Sequence, residues 1–153
     1  MKVAFQGEPG AYSEMATIQY FPNAEYVPMK SFQDVFDSVE SGKIDCAVVP
    51  IENSIEGSIN EAYDLLLQTS MVVSGEIYQR IRHCLIVNKY TNSISNVFSH
   101  PQALAQCRTY LQNRGLEPMA TYDTAGAVKM IKEKRIMDAA AIASRRAAEL
   151  YEM

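Results

Sequence analysis

The sequence of 153 residues contains no tryptophan, only two histidines and only three cysteines. Cys46, Cys84 and Cys107 are odd in number and widely spaced among apolar neighbours, a pattern typical of buried free thiols in a reducing compartment. No CxxC or HExxH pattern occurs, and His83 and His100 alone do not indicate a metal site. The sequence therefore predicts neither a disulfide framework nor a bound metal.

Long apolar runs are absent as well. No stretch approaches the ~18 apolar residues of a membrane-spanning helix, and the N-terminal apolar run is too short for a signal peptide. The formal net charge is -4 and Lys or Arg residues adjoin at most in pairs, which argues against a nucleic-acid partner. With 48% hydrophobic and 21% charged residues, the composition is globular. We therefore expect a cytoplasmic protein of one domain or two small lobes.

Short apolar strands alternate with amphipathic helices along the chain. The run 71–88 is β-rich but too long for one strand, so it predicts two strands joined by a crossing between lobes. Such alternation favours an α/β fold of mainly parallel sheets. Strands are predicted at 2–6, 25–29, 44–50, 96–99, 117–121 and 139–143, and helices at 12–21, 32–41, 58–69, 101–114, 124–135 and 144–151.

Polar residues gather where these strands give way to helices. Ligands of open α/β sheets bind beyond the carboxyl ends of strands, next to helix N-termini whose N–H groups favour anions. Each junction is also explained as an N-cap, but a cap needs only one polar residue. The stretches ENSIEGS (52–58) and SHPQ (99–102) carry more polar groups than a cap uses. They predict a small ligand with carboxylates or phosphates, which fits an enzyme and a solute-binding module equally well.

Three side chains in these stretches can do chemistry. Asn53 and Gln102 carry amides that both donate and accept hydrogen bonds. Glu52 could serve as a general acid if burial raised its pKa. For the other junctions, Asp123 or Thr124 is the expected cap of the helix from 124.

Five ordered motifs carry a resemblance that covers the whole chain. They are FQGEPGAYSE, VVPIENSIEGSI, FSHPQALAQC, YDTAGAV and AAIASRRAAELY. Together they closely resemble the prephenate dehydratase family, which includes the arogenate dehydratases. The resemblance implies a two-lobed α/β fold like the type II periplasmic binding proteins. Lobe 1 would span 1–78 and lobe 2 would span 79–153, each a mainly parallel sheet flanked by helices, with the active site in a cleft between them.

The resemblance also implies an activity and a set of site residues. The family converts prephenate to phenylpyruvate, water and carbon dioxide in phenylalanine biosynthesis, and no cofactor is implied. Its members are typically homodimers or homotetramers and often carry an ACT domain. The implied catalytic residues are Glu52, Asn53, Ser99, Gln102 and Thr124, and the implied substrate-binding residues are Ser13, Ser54, Gly57, His100, Pro101 and Ala125.

The sequence departs from the family's pattern in three respects. It contains no Thr-Arg-Phe tripeptide, whose Thr is held to be central to dehydration, and no ACT domain. Glu152 stands where relatives usually have Gly. Three explanations stay open: a chain truncated before that tripeptide, one piece of a split enzyme, or a missing strand that a partner supplies. In each case we expect an unpaired edge in the first sheet and a chain that folds but is catalytically poor by itself. Arogenate dehydration and non-catalytic binding of a small carboxylate are the alternatives.

Overall fold

The α/β class predicted from the alternating pattern is confirmed. The computed structural model describes residues 1–55, 57–91 and 93–153. These fall into two units, Met1–Glu8 with Tyr12–Arg80 and Pro9–Ala11 with Ile81–Met153. Residues 9–11 thus pack with the second unit, unlike in the predicted division. The boundary between residues 78 and 79 and the cleft stay predictions.

The first unit is built on a three-stranded parallel sheet. Strand β1 (Lys2–Gln6) lies between β2 (Glu25–Met29) and β3 (Cys46–Val48) and is parallel to both. The side chains of Val3, Ala4 and Phe5 are fully buried, as a central parallel strand requires. Helices α1 (Tyr12–Tyr20), α2 (Phe32–Glu40) and α3 (Asn60–Gln68) complete the unit.

Helix α2 begins as its sequence predicts. Ser31 Oγ accepts a hydrogen bond from Asp34 N–H at 3.1 Å, and Asp34 Oδ2 accepts one from Ser31 N–H at 3.2 Å. This reciprocal capping box satisfies two N–H groups that no helical carbonyl can reach. Val35 and Phe36 are buried, which places the apolar stripe of the helix in the core.

Two segments of the first unit differ from prediction. Strands β4 (Glu52–Asn53) and β5 (Gly57–Ser58) form a short antiparallel hairpin, so α3 starts at Asn60 rather than at residue 58. Of the two strands predicted within 71–88, the structure has one, at Cys84–Val87, and it belongs to the second unit. No strand of the described chain pairs with residues 71–83, and a strand without a ladder leaves its apolar side chains in water. Val72 and Tyr78 are accordingly about 85% exposed.

The second unit has a four-stranded mixed sheet in the order β6–β9–β7–β8. Strand β9 (Ala139–Ala143) is antiparallel to β6 (Cys84–Val87) and parallel to β7 (Asn96–Ser99), which is parallel to β8 (Glu117–Ala120). All five residues of β9 are buried, and its small side chains let helices pack closely on both faces. The helices are α4 (Pro101–Gln106), α5 (Arg108–Asn113), α6 (Thr124–Lys134) and α7 (Arg145–Leu150).

Further differences concern one helix and the thiols. The helix predicted over 101–114 breaks at Cys107, whose backbone leaves helical geometry at φ -98° and ψ 7°. The three free cysteines are half-buried rather than buried. Burial still raises the pKa of the Cys107 thiol, and burial followed by the Asp45 carboxylate raises the pKa of Cys46. Within the described ranges, no helix is both long and apolar enough to cross a membrane.

Candidate functional site

The junction between β7 and α4 is held by a histidine cap. His100 Nδ1 accepts a hydrogen bond from the Gln102 N–H at 3.3 Å, and Pro101 occupies the first helical position. The hydroxyl of Ser99 is fully buried and donates to the Ile142 carbonyl at 2.5 Å, which ties β7 to β9. The side chain of Gln102 is half-buried, and its amide group makes no hydrogen bond within the described chain. Of these residues, Gln102 has the side chain that is free to meet a ligand.

The junction between β8 and α6 is capped by Asp123, one of the two caps predicted. Its Oδ1 accepts a hydrogen bond from Gly126 N–H at 2.7 Å, and its own carbonyl accepts one from Thr121 Oγ1 at 3.1 Å. Because Asp123 does the capping, the Thr124 hydroxyl is not needed for it. Thr124 is half-buried at the first helical position, and Ala125 is fully buried behind it.

These two junctions are neighbours. Ser99 pairs with Ala120 across the parallel ladder, and the next N–H along, from Thr121, donates to the Ser99 carbonyl at 2.8 Å. The parallel strands β7 and β8 therefore deliver residues 99–102 and 121–126 to one edge, which we call the β7/β8 edge. The first N–H groups of α6 have no carbonyl partner within the helix and make that edge favourable for an anion.

Ser144 serves the structure instead. Its Oγ accepts from Ala147 N–H at 3.0 Å as the cap of α7 and donates to the Gly10 carbonyl at 2.6 Å. Only 1% of its surface is exposed, and its one hydroxyl hydrogen is already donated to Gly10, so it is not available to a ligand. Arg145, which follows it, is exposed and pairs with Glu149 at 3.1 Å. The cap interpretation of this junction is therefore confirmed.

In the first unit, the polar stretch after β3 does not cap a helix. The N-cap of α3 is Ile59, which makes no side-chain cap hydrogen bond. Asn53 Oδ1 instead accepts from the Ile55 N–H at 2.9 Å, and Gly57 takes φ +83° as the ladder partner of Asn53. The polar groups of this stretch therefore belong to a hairpin and do not cap a helix.

The remaining predicted residues of this unit differ in exposure. Glu52 and Ser54 are exposed, so Glu52 lacks the burial that the general-acid hypothesis requires. Ser13 is half-buried on α1, where its carbonyl accepts from Thr17 Oγ1 at 2.8 Å. Glu56, also part of ENSIEGS, lies outside the described residues.

One residue of the β7/β8 edge was not predicted. Tyr122 lies in the loop between β8 and α6, and 66% of its surface is exposed. Its hydroxyl end rests on Gly126 of the first turn of α6. The only sequence signal was a tyrosine placed four residues before a helical glycine, which by itself has many meanings.

Comparison with known proteins decides the family. The prephenate dehydratase family model matches residues 3–153. The chain belongs to the prephenate dehydratase family. That match includes every junction described above and confirms the resemblance drawn from the five motifs.

The chain is similar to relatives that are longer than itself. It is 48% identical over 153 residues to "Arogenate dehydratase/prephenate dehydratase 2, chloroplastic" of Arabidopsis thaliana, covering 99% of this chain and 40% of that protein. It therefore spans about 40% of the length of such curated relatives.

Two solved structures share the fold of this prephenate dehydratase family member. GqqA, described as a novel type of quorum quenching acylase, is 35% identical with a TM-score of 0.88, covering 99% of this chain and 56% of that one. The prephenate dehydratase of Staphylococcus aureus is 30% identical with a TM-score of 0.76, covering 99% and 57%.

Proposed function

We propose that this chain is the catalytic part of a dehydratase acting on prephenate or on its amino analogue arogenate. The observation that carries the proposal is the family match over residues 3–153, which spans both units and all the polar junctions. A homodimer or homotetramer and a cytoplasmic location remain proposals from the sequence. The Arabidopsis relative is named as chloroplastic.

The reaction defines what the site must supply. Prephenate loses its ring carboxylate as carbon dioxide while its ring hydroxyl leaves, and the electron pair of the broken C–C bond completes the aromatic ring. The hydroxyl needs one proton to leave as water, so the net reaction consumes one proton. Holding two carboxylates in place and donating to the departing oxygen supplies most of the required catalysis.

In the second unit, the β7/β8 edge fits the task of holding a carboxylate. The N–H groups of Thr124 and Ala125 at the start of α6 and the Thr124 hydroxyl offer donors, and the side-chain amide of Gln102 adds another. His100 and Pro101 shape the turn that carries Gln102. Ala125 presents only its backbone. We assign Ser99 a positioning role, because its hydroxyl proton already lies between strands β7 and β9.

In the first unit, the hairpin carries polar groups of its own that could contact a substrate. Glu52 and Ser54 are exposed, and Asn53 is held by its turn with Ile55. Ser13 and Gly57 would line the substrate. Because Glu52 is exposed, we propose Thr124 of the second unit as the donor to the leaving hydroxyl, since the hydroxyl of Thr124 is not needed to cap α6.

A turnover assay tests the proposal. This chain is mixed with prephenate and phenylpyruvate is followed, with heat-killed protein and the acid-catalysed reaction as backgrounds, and arogenate is run in parallel. Turnover that drops in Thr124→Val but not in Thr109→Val, an exposed position on α5, supports it. The proposal is overturned if neither prephenate nor arogenate is converted and neither raises Tm. A rise in Tm without turnover identifies the non-catalytic carboxylate-binding alternative.

One observation favours a second candidate. The likeness to GqqA, at a TM-score of 0.88 and 35% identity, makes acylase activity a competing function. The same preparation is therefore incubated with an N-acyl amide, and release of the free acid is measured. Acid release without prephenate turnover would favour the acylase over the dehydratase.

A further inference from the structure

Gly126 leaves room for the end of one tyrosine side chain. A methyl group at Gly126 would lie 2.6 Å from Oη and 2.7 Å from Cζ of Tyr122, far inside the van der Waals distance. The three atoms nearest to that methyl position all belong to Tyr122. Because Gly126 has no side chain, the tyrosine ring can rest on the first turn of α6, in a place that we call the seat of Tyr122.

Stability does not explain this seat. Gly126 is helical and has no positive φ, so alanine would suit its backbone better than glycine. Tyr122 is 66% exposed and adds little to the core. A local choice that gives up helix stability to hold an exposed side chain marks a position where function outweighs packing.

The seat lies where the proposed substrate binds. Tyr122 is two residues before Thr124, in the loop that Thr121 joins to Ser99. With its hydroxyl end held against Gly126, the ring has few orientations to lose on binding, which lowers the entropic cost of a contact. With 66% of its surface exposed, Tyr122 offers an aromatic ring, which suits an unsaturated six-membered ring better than a carboxylate.

We propose that Tyr122 is a specificity-determining residue whose ring face packs against the ring of the substrate, with Gly126 as the positioning residue. This inference rests on the proposed function. It assigns to the β7/β8 edge a second kind of recognition, for the carbocycle of the substrate rather than for its anionic groups.

A double-mutant cycle tests the inference. We expect Tyr122→Ala to raise KM for prephenate by about 10-fold with little change in kcat, as loss of an aromatic anchor does. Gly126→Ala should do the same by displacing the ring while leaving Tm equal or higher. The double variant should be no worse than either single one, because the clash exists only when Tyr122 is present. Tyr122→Phe should keep a KM near that of the wild type.

Controls separate the possible failures. Tyr110→Ala removes a half-exposed tyrosine on α5, stacked 4.8 Å from Arg114, and should leave KM unchanged. Where turnover is slow, Kd from the prephenate-dependent rise in Tm replaces KM. This inference alone is overturned if the wild-type chain responds to prephenate and Tyr122→Ala has the same KM or Kd. It is also overturned if the effects of the two substitutions add in the double variant. A wild-type chain with no response overturns the proposed function and this inference with it.

Discussion

At the residue scale, polar side chains at strand ends divide by what their hydrogen bonds already do. Asp123 and Ser144 are buried, and each accepts a hydrogen bond from the third residue after it. Gln102 is half-buried and its amide is unused in the described chain. Removing a side chain that already makes a buried hydrogen bond lowers the stability of the fold. Removing a side chain with an unused polar group instead lowers the affinity for its ligand.

Gln102→Ala should therefore lower turnover more than stability, and we expect the same of Asn53→Ala because the hydrogen bond from Ile55 N–H to Asn53 Oδ1 is exposed and local to one turn. We expect the free energy of unfolding to change by ~1 kcal/mol or less in each, since neither amide caps a helix. Urea melts and kcat/KM are measured on the same preparations, with Asn113→Ala at the exposed end of α5 as the matched control. Loss of folding in proportion to loss of rate would show that these amides are structural.

How far single residues could be predicted depends on how local their partners are. The cap at Ser31 and the place of Pro101 follow positional rules that act within one turn of helix. The hydrogen bond from Ser99 spans 43 residues, and the contact of Tyr122 with Gly126 depends on a loop geometry that no pattern fixes. For this reason neither the hydrogen bond of Ser99 nor the contact of Tyr122 was predicted. The catalytic assignment of Ser99 stays a prediction.

At the element scale, two serine helix caps should contribute differently to the free energy of unfolding. Ser31→Ala removes an exposed cap from α2, for an expected loss of about 1 kcal/mol or less. Ser144→Ala removes the cap of α7 and also removes the buried hydrogen bond that Ser144 Oγ donates to the Gly10 carbonyl, for a loss of about 2–4 kcal/mol. Chemical denaturation of both variants measures the difference. Equal losses would mean that the bond to Gly10 contributes nothing.

Elements were predictable where the pattern and the pairing agree. Strands 2–6, 25–29, 96–99 and 139–143 match the structure residue for residue. Among them, 2–6 and 139–143 are buried central strands, which read as short apolar runs. The run 71–83 is also rich in β-branched and aromatic residues, but no strand of the described residues pairs with it. Strand pairing is a property of the fold rather than of the segment. The hairpin at 52–58 was missed because two-residue strands lie below any periodic signal.

At the scale of the whole molecule, the chain order does not give the order of packing. Residues 9–11 belong to the second unit, although the residues on either side of them belong to the first. Ala11 lies in the same apolar cluster as Ala147, and the Pro9 carbonyl accepts a hydrogen bond from Tyr151 Oη at 3.2 Å. These partners lie more than 130 positions away, beyond the reach of any local rule.

Gly10 offers a way to test this assignment in the intact chain. It takes φ +94°, and a methyl group there would lie 2.9 Å from the Ala147 Cα, so Gly10→Ala combines backbone strain with a clash against α7. We expect a loss of about 2–4 kcal/mol, located in the second unit. Hydrogen exchange followed by mass spectrometry should show faster exchange in β9 and α7, with β1 and β2 unchanged.

The matched control is Gly42→Ala, at φ +71° with nothing within 4 Å of the added methyl group. It carries the strain without the clash and sits just after α2, so its smaller effect should stay in the first unit. If Gly10→Ala instead loosened β1 and β2, residues 9–11 would be part of the first unit's stability. If it loosened only the second unit, the N-terminal loop would be one of that unit's own structural elements, and Ser144 would be the residue that holds it there.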